Sequence, residues 1–108
     1  MKKYIAAAAA TAVAAGALAI PALAATSTVQ VKDNVFAPTK LTVTKGTTVK
    51  WVWKGKAPHN VKITKGPVKF GSKTQVKGSF SKTLTKAGTY SVICTIHAPS
   101  MKMTITVK

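Results

Sequence analysis

Downstream of an apolar N-terminal stretch, five side chains carry donors suited to a soft metal: His59, Cys94, His97, Met101 and Met103. Cys94 and His97 are separated by Thr95 and Ile96, and Met101 follows after Ala98-Pro99-Ser100. His59 lies far upstream, just after Ala57-Pro58. Two imidazoles, a thiolate and a weak thioether form the donor set of a blue-copper centre. Thiolate and thioether stabilise Cu(I), while imidazole suits both oxidation states, so a mixed set lets both states share one geometry. Zinc competes for the same Cys and His donors. A catalytic zinc usually has a carboxylate nearby to move protons, and Asp33 is the sole acid. A structural zinc wants a fourth Cys or His, which the chain lacks, so the donor chemistry favours copper.

These donors need a rigid support, and the sequence reads as strands. Val29 and Val31 alternate with Gln30 and Lys32, and Leu41 and Val43 with Thr42 and Thr44. Val49, Trp51 and Trp53 share one face of the next run, and Val61 and Ile63 one face of another. Phe80 and Leu84 predict a further strand, although Lys82 falls on their face. Tyr90 to Cys94 follows the Ala87-Gly88 turn, and Met101, Met103, Ile105 and Val107 alternate with polar residues to the end. Period-two alternation broken by Gly, Pro and Lys turns predicts an all-β sandwich or barrel. No stretch after the N-terminal segment sustains apolar residues at helical spacing. The Lys- and Gly-rich residues 68–78 read as a long surface connection.

Composition narrows the chemistry further. The chain holds 17 Lys+Arg, all of them Lys, against one Asp+Glu, for a net charge of +16. An enzyme working with paired carboxylates has no second carboxylate to use. One cysteine excludes an intramolecular disulfide. At 46% hydrophobic the chain can bury a core despite its charge. The N-terminus reads as an address: Met1-Lys2-Lys3, an apolar Ala-rich run over residues 4–20, and an A-x-A site at Ala22 and Ala24. Cleavage after Ala24 predicts a signal peptide over residues 1–24 and a mature domain over 25–108. Losing 24 residues that include two lysines leaves 84 residues at +14. An uncleaved anchor is the competing reading, disfavoured by Gly16 and Pro21. The mature protein is expected to be soluble, without stable membrane insertion, and periplasmic or secreted. A lone cysteine in an oxidising compartment then needs a reason, and metal ligation supplies one.

At the ligand loop the sequence resembles a family. The run Gly88-Thr89-Tyr90-Ser91-Val92-Ile93-Cys94-Thr95-Ile96-His97-Ala98-Pro99-Ser100-Met101 is similar to the C-terminal loop of the cupredoxins, with plastocyanin, amicyanin and pseudoazurin the nearest in character. Gly46-Thr47-Thr48-Val49-Lys50-Trp51-Val52-Trp53, followed by Ala57-Pro58-His59-Asn60-Val61, resembles their first ligand strand and loop. Phe36-Ala37-Pro38 before Leu41-Thr42-Val43 resembles their second strand. The resemblance spans essentially the whole mature chain. It implies a Greek-key β-sandwich holding one type 1 copper and transferring electrons. It implies His59, Cys94 and His97 as equatorial ligands and Met101 as the axial one, with Met103 the alternative read as core packing. It also implies that Asn60 braces the loops by hydrogen bonding. Several plastocyanins carry acidic docking patches, and this chain can make none.

The remaining residues have plain roles. Trp51 and Trp53 are expected to fill the core, Tyr90 to form a structural corner, and Gly46 and Gly88 to turn the chain. The lysines read either as a solubilising surface or as a docking field that attracts acidic partners. Export, the absence of Arg and scarce exposed aromatics disfavour nucleic acid. The leading expectation is a monomeric, non-enzymatic electron carrier. Its expected partner is an acidic redox protein, such as a c-type cytochrome or a copper oxidoreductase. The resemblance implies His97 as the electron port, with Ala98 and Pro99 beside it. The alternatives are a copper storage or delivery protein, and a metal-free cationic binding module with Cys94 merely buried.

Overall fold

The structure, a computed structural model, describes residues 25–108; the expected signal peptide, residues 1–24, lies outside them. Eight strands follow in order: β1 (Thr26–Lys32), β2 (Val35–Ala37), β3 (Lys40–Val43), β4 (Thr47–Trp53), β5 (Lys62–Lys65), β6 (Ser79–Leu84), β7 (Gly88–Ile93) and β8 (Lys102–Val107). No helix occurs among the described residues. The strands form two four-stranded sheets, ordered β2-β1-β4-β6 and β3-β8-β7-β5. The chain leaves the first sheet after β2 and enters the second at β3, where β3 pairs parallel with β8. It returns to pair β4 parallel with β1, setting Val29 beside Trp51 and Val31 beside Trp53.

The alternation of apolar residues places the core between the sheets. Val49, Trp51 and Trp53 of β4 are buried, while Lys50 on the opposite face is exposed. Met103, Ile105 and Val107 of β8 are buried from the other side. With Val29, Val31, Phe36, Tyr90 and Val92 they belong to one apolar cluster fed by both sheets. Each such side chain contributes about 1.5–3 kcal/mol on leaving water. Of the four edge strands, β3, β5 and β6 carry Lys40, Lys62, Lys65 and Lys82, a charge pattern that blunts edge-to-edge pairing.

Two expectations on the chain's lower-contrast stretches are refined. Residues 68–78 are more than a surface connection: Val68 and Phe70 pack against the core. The same stretch makes bridges from Gln75 to His59 and from Gly71 to Lys62. Lys82, the charge on an otherwise apolar face, holds its Nζ 5.4 Å from the Phe70 ring centre. There the cation meets the aromatic face. Tyr90 forms the expected corner. It is buried, its hydroxyl donates to the Lys86 carbonyl at 2.8 Å, and burial pushes its phenol pKa up.

Candidate metal centre

The ends of β4 and β7 point their following loops to one place. After β4, residues 54–58 lead to His59, which is fully buried. Its backbone exchanges hydrogen bonds with Gln75, N to O at 3.0 Å in each direction. The Trp53 indole Nε1 also donates to the His59 carbonyl at 3.1 Å. Trp53 is therefore buried as expected but also clamps the loop that follows it. Cys94 comes directly after β7 and is fully buried. The chain then turns tightly: the His97 amide donates to the Cys94 carbonyl at 3.2 Å, and the Met101 amide to the His97 carbonyl at 3.2 Å. The Cys94 amide closes the loop on the Met101 carbonyl at 3.0 Å.

The side chains converge. His59 Nδ1 and His97 Nδ1 lie 3.2 Å apart. Cys94 Sγ lies 3.6 Å from His97 Nδ1 and 3.9 Å from His59 Nδ1. Among the described residues these three form the one group of metal-binding donors. Ions of this class hold nitrogen at about 2.0 Å and sulfur at about 2.3 Å, which in tetrahedral or trigonal arrangement spaces ligand atoms about 3.3–3.7 Å apart. The three donor separations, 3.2, 3.6 and 3.9 Å, lie close to that spacing and fit one ion. Met101 is fully buried and tied by its backbone to both Cys94 and His97. Met103 lies inside β8 opposite Val92, one step further into the sheet. Cys94 is a free thiol.

Two further residues frame the group. Asn60 Oδ1 accepts from the Thr95 amide at 2.8 Å and from the Thr95 hydroxyl at 3.2 Å. It thereby ties the His59 loop to the Cys94 loop, the bracing role the family resemblance implied. Asp33, absent from the expected site, meets the far side of His59: its Oδ1 lies 3.0 Å from Nε2. The His59 contact first, then the Ala57 and Lys56 amides, hold its carboxyl down at about 2 against an ordinary 3.8. A carboxylate accepts, so Nε2 carries the proton and Nδ1 keeps its lone pair for the metal side.

This fold and donor group define a copper protein of the cupredoxin class. The chain matches the family described as copper binding proteins, plastocyanin/azurin family, over residues 24–108, and belongs to it. Among solved structures it is similar to the Cu(I) form of an amicyanin variant at 29% identity and a TM-score of 0.69, covering 82% of this chain and 87% of that one. It is similar to an oxidised amicyanin variant at 29% identity and a TM-score of 0.67, covering 75% and 80%. A copper-containing nitrite reductase from Thermus scotoductus matches at 33% identity and a TM-score of 0.67, covering 89% of this chain but 25% of that larger one.

Proposed function

We propose that this protein is an exported one-electron carrier, with His59, Cys94 and His97 as equatorial copper ligands and Met101 as the axial one. The observation that carries this reading is the preformed convergence of two Nδ1 atoms and one Sγ on a braced, buried scaffold. Bound copper supplies a one-electron couple. The protein's own part is to keep the donors still. Cys94 is held between β7 and the loop-closing bond to Met101, and His59 by Trp53 and Gln75. Donors that need not move between oxidation states keep the reorganisation cost of electron transfer low.

The surroundings favour a carrier over an enzyme. The groove beside the site is lined by Asn60, Lys62, Phe70, Ser72 and Thr95 among others, and none of its lining residues is one of the proposed copper ligands. Small-molecule substrates need a concave seat with convergent polar groups at the reacting centre, and an electron does not. His97 is half-buried and flanked by exposed Ile96, Ala98 and Pro99, which supports it as the port through which electrons pass. Burial of His59 and Cys94 disfavours the storage or delivery reading, since exchange needs reachable ligands. The signal-peptide pattern supports a periplasmic or secreted location.

The lysines support an acidic class of partner. At +14 after cleavage, the protein repels cations and attracts a redox protein with an acidic patch, such as a c-type cytochrome or a copper oxidoreductase. The protein acts as a monomer, and the encounter is small and transient. Addition of Cu(II) to the apo-protein should give a strong visible thiolate-to-copper band. Stopped-flow rates should be faster with an acidic than with a basic cytochrome. The acidic-partner rate should fall steeply as salt rises to about 0.15 M, where the screening length is about 8 Å. Absence of the band removes the copper-carrier reading. Equal, salt-independent rates remove the docking role of the lysines while leaving the carrier intact.

A further inference from the structure

The chain's only side-chain carboxylate lies against a histidine of the candidate metal centre, 26 positions away in sequence. Asp33 occupies the two-residue turn between β1 and β2, where Asn34 takes a left-handed φ of 68°. Its side chain turns toward the end of β4. Oδ1 and Oδ2 each accept from the Lys56 amide at 3.0 Å, and Oδ1 accepts from the Ala57 amide at 2.9 Å. The same Oδ1 meets His59 Nε2 at 3.0 Å. Gly55 completes the seat, because a Cβ there would overlap the carboxylate. One side chain thus folds the 55–57 backbone around itself and reaches the buried imidazole at the loop's end.

We propose that Asp33 is a positioning residue that orients His59 and tunes the metal couple, an inference that rests on the copper reading above. As acceptor for Nε2–H it holds the tautomer whose Nδ1 lone pair faces Cys94 and His97. Its negative charge makes that lone pair more basic and favours the more highly charged metal state. Asp33 therefore stabilises Cu(II) over Cu(I) and lowers the reduction potential. Its side chain is 44% exposed while His59 is fully buried, so solvent weakens the charge effect but not the orientation of the ring. With 17 lysines and no second acid, no other side chain can supply that negative charge.

Two variants separate charge from hydrogen bonding. Asp33→Asn keeps an acceptor of the same shape and removes the charge; Asp33→Ala removes both. In Asp33→Asn the visible band should persist and the Cu(II)/Cu(I) equilibrium should shift about tenfold toward Cu(I), which is ~59 mV for a one-electron couple. The shift should survive at about 1 M salt, where the screening length of about 3 Å suppresses distant charges but not a direct contact. Asp33→Ala should in addition weaken Cu(II) binding by about 10–100-fold. The second readout uses the apo-protein. Long-range 1H–15N correlation of the imidazoles should report His59 protonated at Nε2 in the wild type, and a mixture of tautomers in Asp33→Ala. Unchanged potential in Asp33→Asn, or a shift that vanishes with salt, overturns the tuning role. A wild-type His59 not protonated at Nε2 overturns the positioning role, and this test stands even if no visible band forms with Cu(II). Should Asp33→Ala fail to fold, the Asn variant and the wild-type tautomer still decide.

Discussion

The two histidines of the candidate metal centre are held in different ways. His59 is fully buried and held by segments remote in sequence: Asp33 from the β1–β2 turn and Gln75 from the stretch before β6, besides Trp53 at the end of its own strand. His97 is half-buried and held within its own turn, through bonds among Cys94, Ser100 and Met101. The first imidazole is fixed mainly from outside its segment; the second is fixed mainly by its own turn, which Asn60 ties down at Thr95. The difference divides labour. A buried, cross-braced imidazole is suited to set the geometry, while one on a tight, hydrogen-bonded turn can sit near the surface without being loosened by solvent.

The same difference decides what was legible in the sequence. Cys94, His97 and Met101 are local, and their spacing displays the loop directly. The strands were legible for a similar reason: period-two alternation in β4 and β8 is a local signal that burial then follows. The setting of His59 depends on contacts that no local pattern carries. In the sequence Asp33 stands out only as the sole acid, the one carboxylate a zinc site could use, yet a single acid among 17 lysines is itself a signal that its position is constrained. The Asp33-Asn34 pair also had turn chemistry. Phe70 and Gln75 fell in a Lys- and Gly-rich stretch whose composition outweighed its one aromatic residue. There tertiary packing overrode the local reading.

The comparison is broken most completely at the residue both histidines share. Cys94→Ser should abolish the visible copper band, because a serine hydroxyl does not supply a thiolate. The buried site should accept the smaller oxygen, leaving far-UV circular dichroism unchanged. An unaltered visible spectrum and copper affinity in this variant would remove Cys94 from the centre, and with it the reason for comparing the histidines.

A second change sharpens the local half of the comparison. Met101 closes the loop with Cys94 and His97, whereas Met103 packs within β8. Met101→Leu should keep copper and raise the reduction potential, since losing a weak axial donor disfavours Cu(II). Met103→Leu is nearly volume-neutral and should cost less than about 1.5 kcal/mol in stability with little change in potential. A larger potential shift in Met103→Leu would move the axial role one turn of the strand pleat inward.

The smallest effect tests the remote half, using two tryptophans on one strand. Trp51 and Trp53 are both buried on the inner face of β4, but their indole nitrogens differ. Trp53 Nε1 donates to the carbonyl of His59 at 3.1 Å. Trp51 Nε1 is buried without a hydrogen-bond partner among the described residues, and its ring packs near Phe70 and Phe80. Replacing either by Phe removes similar volume. Trp51→Phe also removes an unsatisfied donor, which offsets part of the cavity cost. Trp53→Phe removes a bond whose net worth is about 0.5–1.5 kcal/mol. The His59 carbonyl keeps its bond from the Gln75 amide, so no buried acceptor is orphaned. At about 4–8 °C per kcal/mol for a domain of this size, Trp53→Phe should melt several degrees below the wild type. It should also shift the copper band or the potential slightly, because the ring of His59 follows its backbone. Trp51→Phe should lower Tm with the spectrum unchanged. Equal spectral response in the two variants would mean that the indole bond does not steady His59, and that its backbone pairing with Gln75 and the Asp33 contact suffice.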